Sequence, residues 1–230
     1  MKSNKKTLGI LAGMGPRSTT PFLELVLDEC QNQYQATLDE EFPEIIIYSL
    51  PTPFYLDREI DHRLMQETIV KGLEKLEKNG VHSIAMPCNS AHLYIDDLQR
   101  SIPTKLFNMV EETVKELPLK QVRVTLFATP TTYHSSIYQK EIKEKGHEFV
   151  FESNWQIELN QIISGIKKEK TNPLNKVLWN KLIAEVKSKV EVIIIACTEL
   201  NAVMDEIPNE IHLIDSSKSL AKALIQDYLK

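Results

Sequence analysis

Two apolar segments of this chain each end in a cysteine, and the residues after each cysteine follow a similar pattern. The segment VHSIAMPC ends at Cys88 and precedes NSAH, and the segment VEVIIIAC ends at Cys197 and precedes TELN. Short apolar runs rich in β-branched residues are typical of buried strands. Both thiols are therefore predicted at the carboxyl end of a strand and the start of a helix, where open α/β sheets bind ligands. The partial positive charge of a helix N-terminus favours the thiolate.

The rest of the sequence alternates between strand-like and helix-like segments in two rounds. Strands are predicted near 7–13, 44–50, 81–88, 104–108, 122–128, 147–153, 190–197 and 212–215. Helical crossovers between strands imply parallel sheets. LGILAGMGPRSTT and RVTLFATPTTYHS share one plan, an apolar strand followed by a Thr-rich turn and a helix, which indicates an internal repeat. We predict an α/β fold of two small doubly wound parallel-sheet domains, related by pseudo-twofold symmetry, with the active site in the cleft between them.

The second round of strands sets the expected domain boundaries. The first domain is predicted to comprise residues 1–108 and 212–230, the latter containing a returning C-terminal helix. The second domain is predicted to comprise residues 109–211. The chain of 230 residues is long enough to bury a core of its own in this arrangement.

Composition excludes several classes of partner. The net charge of −5 gives no basic footprint for a nucleic acid. Apolar runs such as VIIIA at 192–196 are far too short to span a bilayer, so no membrane association is expected. The three cysteines show no disulfide-dense spacing, and the N-terminus shows no signal cleavage site. We therefore expect a cytoplasmic protein.

Two thiols in matching positions suggest acid–base chemistry at a carbon atom. One thiolate can remove a proton from a carbon acid while the other thiol gives a proton to the opposite face, which inverts a stereocentre without a cofactor. The turn GMGP at 13–16 lacks the GxGxxG spacing of a dinucleotide site. Its glycines are instead interpreted as permitting close approach of a small anionic ligand.

Three motifs in this order resemble those of the aspartate/glutamate racemase family, whose members work without pyridoxal phosphate. They are AGMGP at 12–16, MPCNSAH at 86–92 and ACTEL at 196–200. Asp57-Arg58, ATPTTYHSSIY at 128–138 and GIKK at 165–168 are similar to further segments of that family. The resemblance spans nearly the whole chain. It implies racemisation of aspartate or glutamate by two cysteines, with no cofactor and no metal, in a protein that forms homodimers.

The resemblance also implies roles for individual residues. Cys88 and Cys197 would act on opposite faces of Cα, and Glu199 would tune or relay the proton of Cys197. Arg58 would bind the side-chain carboxylate with its forked guanidinium, and Lys167 would add a second positive charge. The other positions implied in substrate binding are Met14, Asn89, Ser90, Thr129, Thr132 and Thr198.

Several alternatives stay open for single residues. Cys30 lies on a helical apolar stripe and is interpreted as a packing residue. Cys88 and His92 have a spacing that can place two zinc ligands on one helix face, although no CxxC or second Cys/His pair supports a metal site. His92 could equally assist proton transfer at Cys88. Lys168 is an alternative to Lys167 as the residue facing the substrate.

Other functions fit the same fold. Related reactions are those of a hydantoin racemase, a maleate isomerase or a decarboxylase, and the presence of two cysteines argues against the decarboxylase. Arg58 and the CTEL motif favour an acidic amino acid over a hydantoin. A different class is a protein that binds a dicarboxylate without turning it over. The choice between aspartate and glutamate is not fixed, because one methylene is discriminated only modestly.

Overall fold

Two four-stranded parallel β-sheets organise the chain. The chain divides into two compact units, of which one comprises Met1–Met109 and Ser217–Lys230 and the other Val110–Ser216. The computed structural model describes residues 6–53, 60–169, 171–204 and 211–230.

The strands and α-helices of the described residues alternate along most of the chain. In chain order they are β1 (Thr7–Ala12), α1 (Thr19–Tyr34), β2 (Glu44–Ser49), α2 (His62–Lys78), β3 (Ser83–Ala85), α3 (Ile95–Ser101), β4 (Lys105–Leu106), α4 (Met109–Val114), β5 (Arg123–Ala128), α5 (Pro130–His134), α6 (Ile137–Glu144), β6 (Glu148–Phe149), α7 (Ser153–Lys168), α8 (Pro173–Val186), β7 (Val192–Ala196), β8 (His212–Asp215) and α9 (Ser216–Tyr228). Two 3-10 helices, Asn89–Tyr94 and Thr198–Ala202, directly follow Cys88 and Cys197.

The two sheets have the same strand order. The first sheet runs β2-β1-β3-β4 and the second β6-β5-β7-β8, and the strand pairs within both are parallel. The predicted α/β class with two parallel sheets is confirmed. In this repeat β3 corresponds to β7, so the strands that precede Cys88 and Cys197 occupy equivalent places in their sheets.

The last strand differs from the predicted domain boundary. β8 pairs with β7 in parallel, with His212 beside Val192 and Asp215 beside Ile195. Sequence analysis placed 212–215 in the first domain because this segment precedes the returning helix. Pairing with β7 places the segment in the second sheet instead, and the chain rejoins the first unit at Ser217.

Central and edge strands differ in burial. The residues of β7 are all buried, which agrees with its continuous apolar sequence between two layers of helices. β2 has an apolar sequence, but it is an edge strand, and its residues are half-buried or exposed. An edge strand has one strand neighbour, so its apolar composition alone does not bury it.

The helices cover the sheets with apolar faces. In α2 the side chain of Asp61 accepts the Leu64 N–H at the N-cap, and the helix is followed by Gly80 at a φ of 72°. Its buried residues are Met65, Ile69, Gly72, Leu73 and Leu76, which recur at helical spacing. None of the described helices combines the length and the apolar composition that crossing a membrane takes.

The helical segment that follows β5 and its Thr-rich turn is broken. It forms α5 and α6, which are separated at Ser136, a residue with a φ of 58°. The Thr129 side chain caps α5 by accepting the Thr132 N–H. This break leaves α5 as a short turn that directly follows β5, at the same edge of the sheet as Cys197.

Candidate active site

The two cysteines have nearly the same backbone conformation. Cys88 has φ −146° and ψ 102°, and Cys197 has φ −145° and ψ 112°. Each is the N-cap of a 3-10 helix, and its carbonyl accepts the N–H three residues on, from Ala91 at 3.2 Å and from Leu200 at 3.1 Å. Strand, thiol and 3-10 turn are thus repeated in the two units. We call residues 88–94 the Cys88 turn and residues 197–203 the Cys197 turn.

The thiol of Cys197 is buried against a carboxylate. Its Sγ donates a hydrogen bond to Glu199 Oε2 at 3.2 Å, and the residue is 3% exposed. Burial raises the pKa of the Cys197 thiol well above its ordinary value, and the negative charge of Glu199 raises this pKa further. At neutral pH Cys197 is therefore a thiol whose proton points at Glu199.

A lysine balances the charge of this carboxylate. Lys167 Nζ, at the end of α7, lies 3.6 Å from Glu199 Oε1, and its charge acts to lower the pKa of the Cys197 thiol. Lys168 lines a surface depression along α7 together with Ser164 and Gly165. Of the two lysines that sequence analysis left open, Lys167 is thus the one paired with Glu199.

A threonine turn lies at the same sheet edge as Cys197. Ala128 and Ala196 are paired in the β5–β7 register, so Thr129 and Cys197 are the next residues along neighbouring strands. The Thr129 and Thr132 hydroxyl oxygens are 3.1 Å apart, and Thr132 is fully buried. Thr198 donates to Glu199 Oε2 at 3.5 Å, a long hydrogen bond. The second unit thus has Thr129 and Thr132 after the strand next to that of Cys197, and Thr198 and Glu199 directly after the thiol.

The Cys88 turn is more open at its thiol. Cys88 is half-buried, whereas Cys197 is buried. Asn89 is buried and Ser90 half-buried within the 3-10 helix that begins after the thiol. Two of the predicted binding residues of this unit therefore occupy the first two positions after Cys88, as Thr198 and Glu199 do after Cys197.

His92 contacts the backbone of the Cys88 turn. Its Nδ1 lies 2.8 Å from the Cys88 carbonyl oxygen, and its Nε2 lies 3.4 Å from the Phe107 carbonyl oxygen beyond β4. Burial lowers the pKa of His92, so the ring is neutral and carries one N–H. The single N–H can be donated to only one of these two carbonyls, and the shorter distance assigns it to that of Cys88. Within the described residues, no group of three or more His, Cys, Asp or Glu side chains could hold a metal ion.

The first motif forms a turn beside the Cys88 turn. Ile10 and Ala85 are paired in the β1–β3 register, so Gly13 and Cys88 each lie three residues further along neighbouring strands. Gly13 has a φ of 93°, and a Cβ at this position would lie 2.5 Å from Leu50 N. Met14 packs against the same apolar cluster as Cys88. The glycine is therefore required by backbone packing, which positions Met14 in the turn.

Sequence reasoning missed two residues of the first unit. Tyr94, at the end of the Cys88 turn, has its hydroxyl 2.6 Å from His62 Nδ1 at the start of α2. A tertiary contact over 32 positions gives no signal in the sequence pattern. The other predicted binding residue of this unit, Arg58, lies outside the described residues.

Comparison with known proteins identifies the family. The sequence profile of the Asp/Glu/Hydantoin racemases matches residues 11–224. The chain belongs to the Asp/Glu/Hydantoin racemase family. The family prediction made from the three motifs is therefore confirmed. Among relatives of this racemase family member is the broad specificity amino-acid racemase RacX of Bacillus subtilis (strain 168), which is 46% identical over 222 residues, 96% of this chain and 98% of that protein.

Solved structures of the family share the fold. An aspartate racemase of Picrophilus torridus is 26% identical, with a TM-score of 0.81 over 98% of this chain and 95% of that chain. An aspartate racemase homologue from Pyrococcus horikoshii OT3 is 25% identical, with a TM-score of 0.80 over 98% of this chain and 100% of the other. The repeated sheets of this racemase family member thus occur in its relatives over nearly their full length.

Proposed function

We propose that the protein is an isomerase that racemises an acidic amino acid, aspartate or glutamate, without a cofactor. In this proposal Cys88 and Cys197 act on opposite faces of Cα. The observation that carries the proposal is the repeated cysteine turn, with the same backbone torsions after equivalent strands. A packing role for the cysteines would not need this repeat, whereas a two-base reaction needs two equivalent proton carriers.

The different environments of the thiols support an order of proton transfer. Cys197 is protonated at neutral pH because burial and Glu199 raise the pKa of its thiol. Cys88, as thiolate, takes the α-proton: the Cα–H bond breaks and an S–H bond forms at Cys88. The Cys197 S–H bond then breaks as a new Cα–H bond forms on the opposite face. When the product enantiomer has formed, Cys88 is a thiol and Cys197 is a thiolate.

Glu199 and Lys167 are proposed to govern the second half of this reaction. A Cys197 thiolate next to the Glu199 carboxylate is electrostatically unfavourable, so Glu199 keeps Cys197 in the protonated form that is needed to reprotonate the carbanion. Lys167, 3.6 Å from Glu199, reduces that repulsion. The proposed substrate contacts are those implied by the family resemblance: Met14, Arg58, Asn89, Ser90, Thr129, Thr132, Lys167 and Thr198.

A wider substrate range is a second candidate. The relative that is 46% identical is named a broad specificity amino-acid racemase, and its match covers nearly all of both chains. Acidic substrates are favoured by the aspartate racemase structures at 25–26% identity. A cytoplasmic location and a homodimer stay predictions from the sequence.

The test is a panel of single enantiomers of the common amino acids, incubated with the purified protein and followed by chiral chromatography. We expect racemisation of aspartate or glutamate without added pyridoxal phosphate or metal, and loss of this activity in both Cys88→Ala and Cys197→Ala. Faster turnover of neutral or basic amino acids would favour the broad-range candidate. Calorimetric binding of aspartate without racemisation of any amino acid would favour a dicarboxylate-binding protein.

A further inference from the structure

Tyr94 and His62 form a polar contact between the Cys88 turn and solvent. The Tyr94 hydroxyl lies 2.6 Å from His62 Nδ1, and the two rings meet edge-on with centroids 5.9 Å apart. His62 is exposed at the start of α2, whereas Tyr94 is half-buried. One phenol hydroxyl is thus hydrogen-bonded to an imidazole that is open to water.

Tyr94 lies on the same side of its helix as Cys88. In a 3-10 helix, residues three apart share a face, so the face of Cys88 continues through Ala91 to Tyr94. Ala91 is small, and Tyr94 packs against the same apolar cluster as Cys88. The charge of a Cys88 thiolate also reaches the phenol, because it acts together with burial to raise the pKa of Tyr94.

In the Cys197 turn, the positions equivalent to Ala91 and Tyr94 carry no polar side chain. Its face continues from Cys197 through Leu200 to Val203, and both of these residues are apolar and buried. Cys197 instead donates directly to Glu199. The repeat therefore differs at its polar side chains: Cys197 has a carboxylate two residues on, and a phenol lies six residues after Cys88 on the same helix face.

We propose that Tyr94 and His62 form a relay that carries protons between Cys88 and solvent after each turnover. The proposal rests on the proposed function, because a two-base racemase ends each turnover with its thiols in exchanged protonation states. Before the next molecule of the same enantiomer reacts, Cys88 loses a proton and Cys197 gains one. An exposed imidazole can accept a proton on one ring nitrogen and release one to water from the other, so it is well suited to this exchange.

The proton balance of the relay is simple. The Cys88 S–H bond breaks and its proton passes to the Tyr94 oxygen, directly or through one water, while the Tyr94 hydroxyl proton passes to His62 Nδ1. His62 accepts at Nδ1 when its ring proton is on Nε2, and it then releases the Nε2 proton to water. The net change is one thiol converted to a thiolate and one proton delivered to solvent. Tyr94 is again a neutral phenol, and His62 is a neutral imidazole with its proton on Nδ1. Exchange of the exposed ring with water returns this proton to Nε2 before the next turnover.

Steady-state kinetics of Tyr94→Phe and His62→Ala test the relay. The return of the free enzyme to its starting state limits kcat but does not enter kcat/KM, since it follows product release. We expect kcat to fall by about 10-fold, less than the 10²–10⁴ that direct proton transfer contributes, with kcat/KM unchanged. Added imidazole should restore kcat in His62→Ala. Tyr34→Phe, which removes a hydroxyl bonded to the Glu41 carbonyl elsewhere in the unit, is the matched control and should keep kcat.

A parallel fall in kcat and kcat/KM in both variants would overturn the relay, because it would show a role in substrate binding or folding. Unchanged kcat would overturn it as well. A fold-disrupting Tyr94→Phe is recognised by circular dichroism, and His62→Ala at the exposed position then decides the question.

A readout independent of activity separates this proposal from the proposed function. In protein labelled with 3-fluorotyrosine, the ¹⁹F resonance of residue 94, assigned with Tyr94→Phe, should respond to the titration of Cys88. The response should vanish in Cys88→Ala and persist in Cys197→Ala. A resonance that titrates identically in the wild type and Cys88→Ala would overturn the relay. If no amino acid is racemised but this response is present, the proposed function fails while the coupling of Tyr94 to Cys88 stands.

Discussion

The Cys88 turn and the Cys197 turn place their thiols with the same backbone but surround them differently. The torsions of Cys88 and Cys197 differ by no more than 10°. Two residues on, the Cys197 turn carries Glu199, which accepts the thiol proton, whereas the Cys88 turn carries Ser90. A repeated backbone therefore delivers two thiols with unlike neighbours, and for Cys197 the neighbouring carboxylate raises the pKa of the thiol.

The fourth position after each cysteine differs as well. His92 has its ring nitrogens at the carbonyls of Cys88 and Phe107, while the equivalent Asn201 has a buried Oδ1 with no hydrogen-bond partner among the described residues. In the Cys88 turn a side chain thus donates to the carbonyl of the cysteine itself. The Cys197 turn instead packs through buried apolar residues such as Leu200.

The largest effect on racemisation is expected from removing each thiol in turn. Cys88→Ala and Cys197→Ala should each reduce racemisation by about 10²–10⁴ or more, since each removes a proton carrier. Each variant keeps one base, so each should still exchange the α-proton of one enantiomer with D₂O without inverting it. Chiral chromatography with mass spectrometry measures both. Cys30→Ala, at a buried packing position, is the control, and exchange of the same enantiomer by both variants would contradict opposite faces.

Removing the carboxylate should make the Cys197 turn more like the Cys88 turn. Glu199→Gln removes the negative charge that raises the pKa of Cys197, so that pKa should fall and alkylation of Cys197 by iodoacetamide should begin at lower pH. Turnover should fall by about 10- to 100-fold. Glu152→Gln, which breaks a surface ion pair with Lys189, is the matched control. An unchanged alkylation profile would rule out the coupling of Glu199 to the thiol.

Substitution at the fourth position after the cysteine should destabilise the protein more in the Cys88 turn than in the Cys197 turn. His92→Leu leaves the Cys88 carbonyl without a side-chain donor in a buried site, which should lower the free energy of unfolding by about 1–3 kcal/mol. Asn201→Leu, which removes an oxygen that has no partner among the described residues, should cost less. Urea unfolding measures both variants, and a larger loss in Asn201→Leu would reverse this assignment.

His92 should also contribute a pH dependence of stability. Burial lowers the pKa of His92 in the folded protein below its ordinary value of 6.5. Below that value the unfolded chain binds a proton that the folded chain does not, so stability should fall as pH decreases from 6.5. His92→Gln should reduce the slope of unfolding free energy against pH in this range. An equal slope in the variant and wild type would show that other groups account for it.

The smallest effect is expected at the lysine. Lys167 lowers the pKa of the Cys197 thiol through its charge, which is the weakest of the causes acting on that thiol. Lys167→Gln should therefore move the alkylation profile of Cys197 slightly to higher pH, opposite to Glu199→Gln. Lys168→Gln, at the neighbouring position, is the control. A shift of the same size in both variants would show a general charge effect in place of the Lys167–Glu199 pair.

Much of the fold was predictable because apolar runs identify the central strands. β5 and β7 were each predicted to within two residues at either end. β3 was predicted over 81–88 but ends at Ala85, since the Cys88 N–H bonds back to the Met86 carbonyl in a turn. Apolar residues in a turn and in a strand give the same signal when both are buried.

The site was predictable only where its contacts are local in sequence. The bond from Cys197 to Glu199 joins residues two apart, so the motif shows it. The contacts of His92 with Phe107 and of Tyr94 with His62 depend on how strands and helices pack. These contacts follow from tertiary structure, which is why sequence reasoning left the role of His92 open and missed Tyr94.

The central claim is that two thiols share one substrate. Its most direct test is racemisation of a single enantiomer of aspartate or glutamate in D₂O, stopped early and analysed by chiral separation and mass spectrometry. Two bases predict that the newly formed enantiomer carries deuterium at Cα while the remaining substrate stays protiated. Deuterium appearing equally in the substrate and product from the start would point to a single base and would contradict the account.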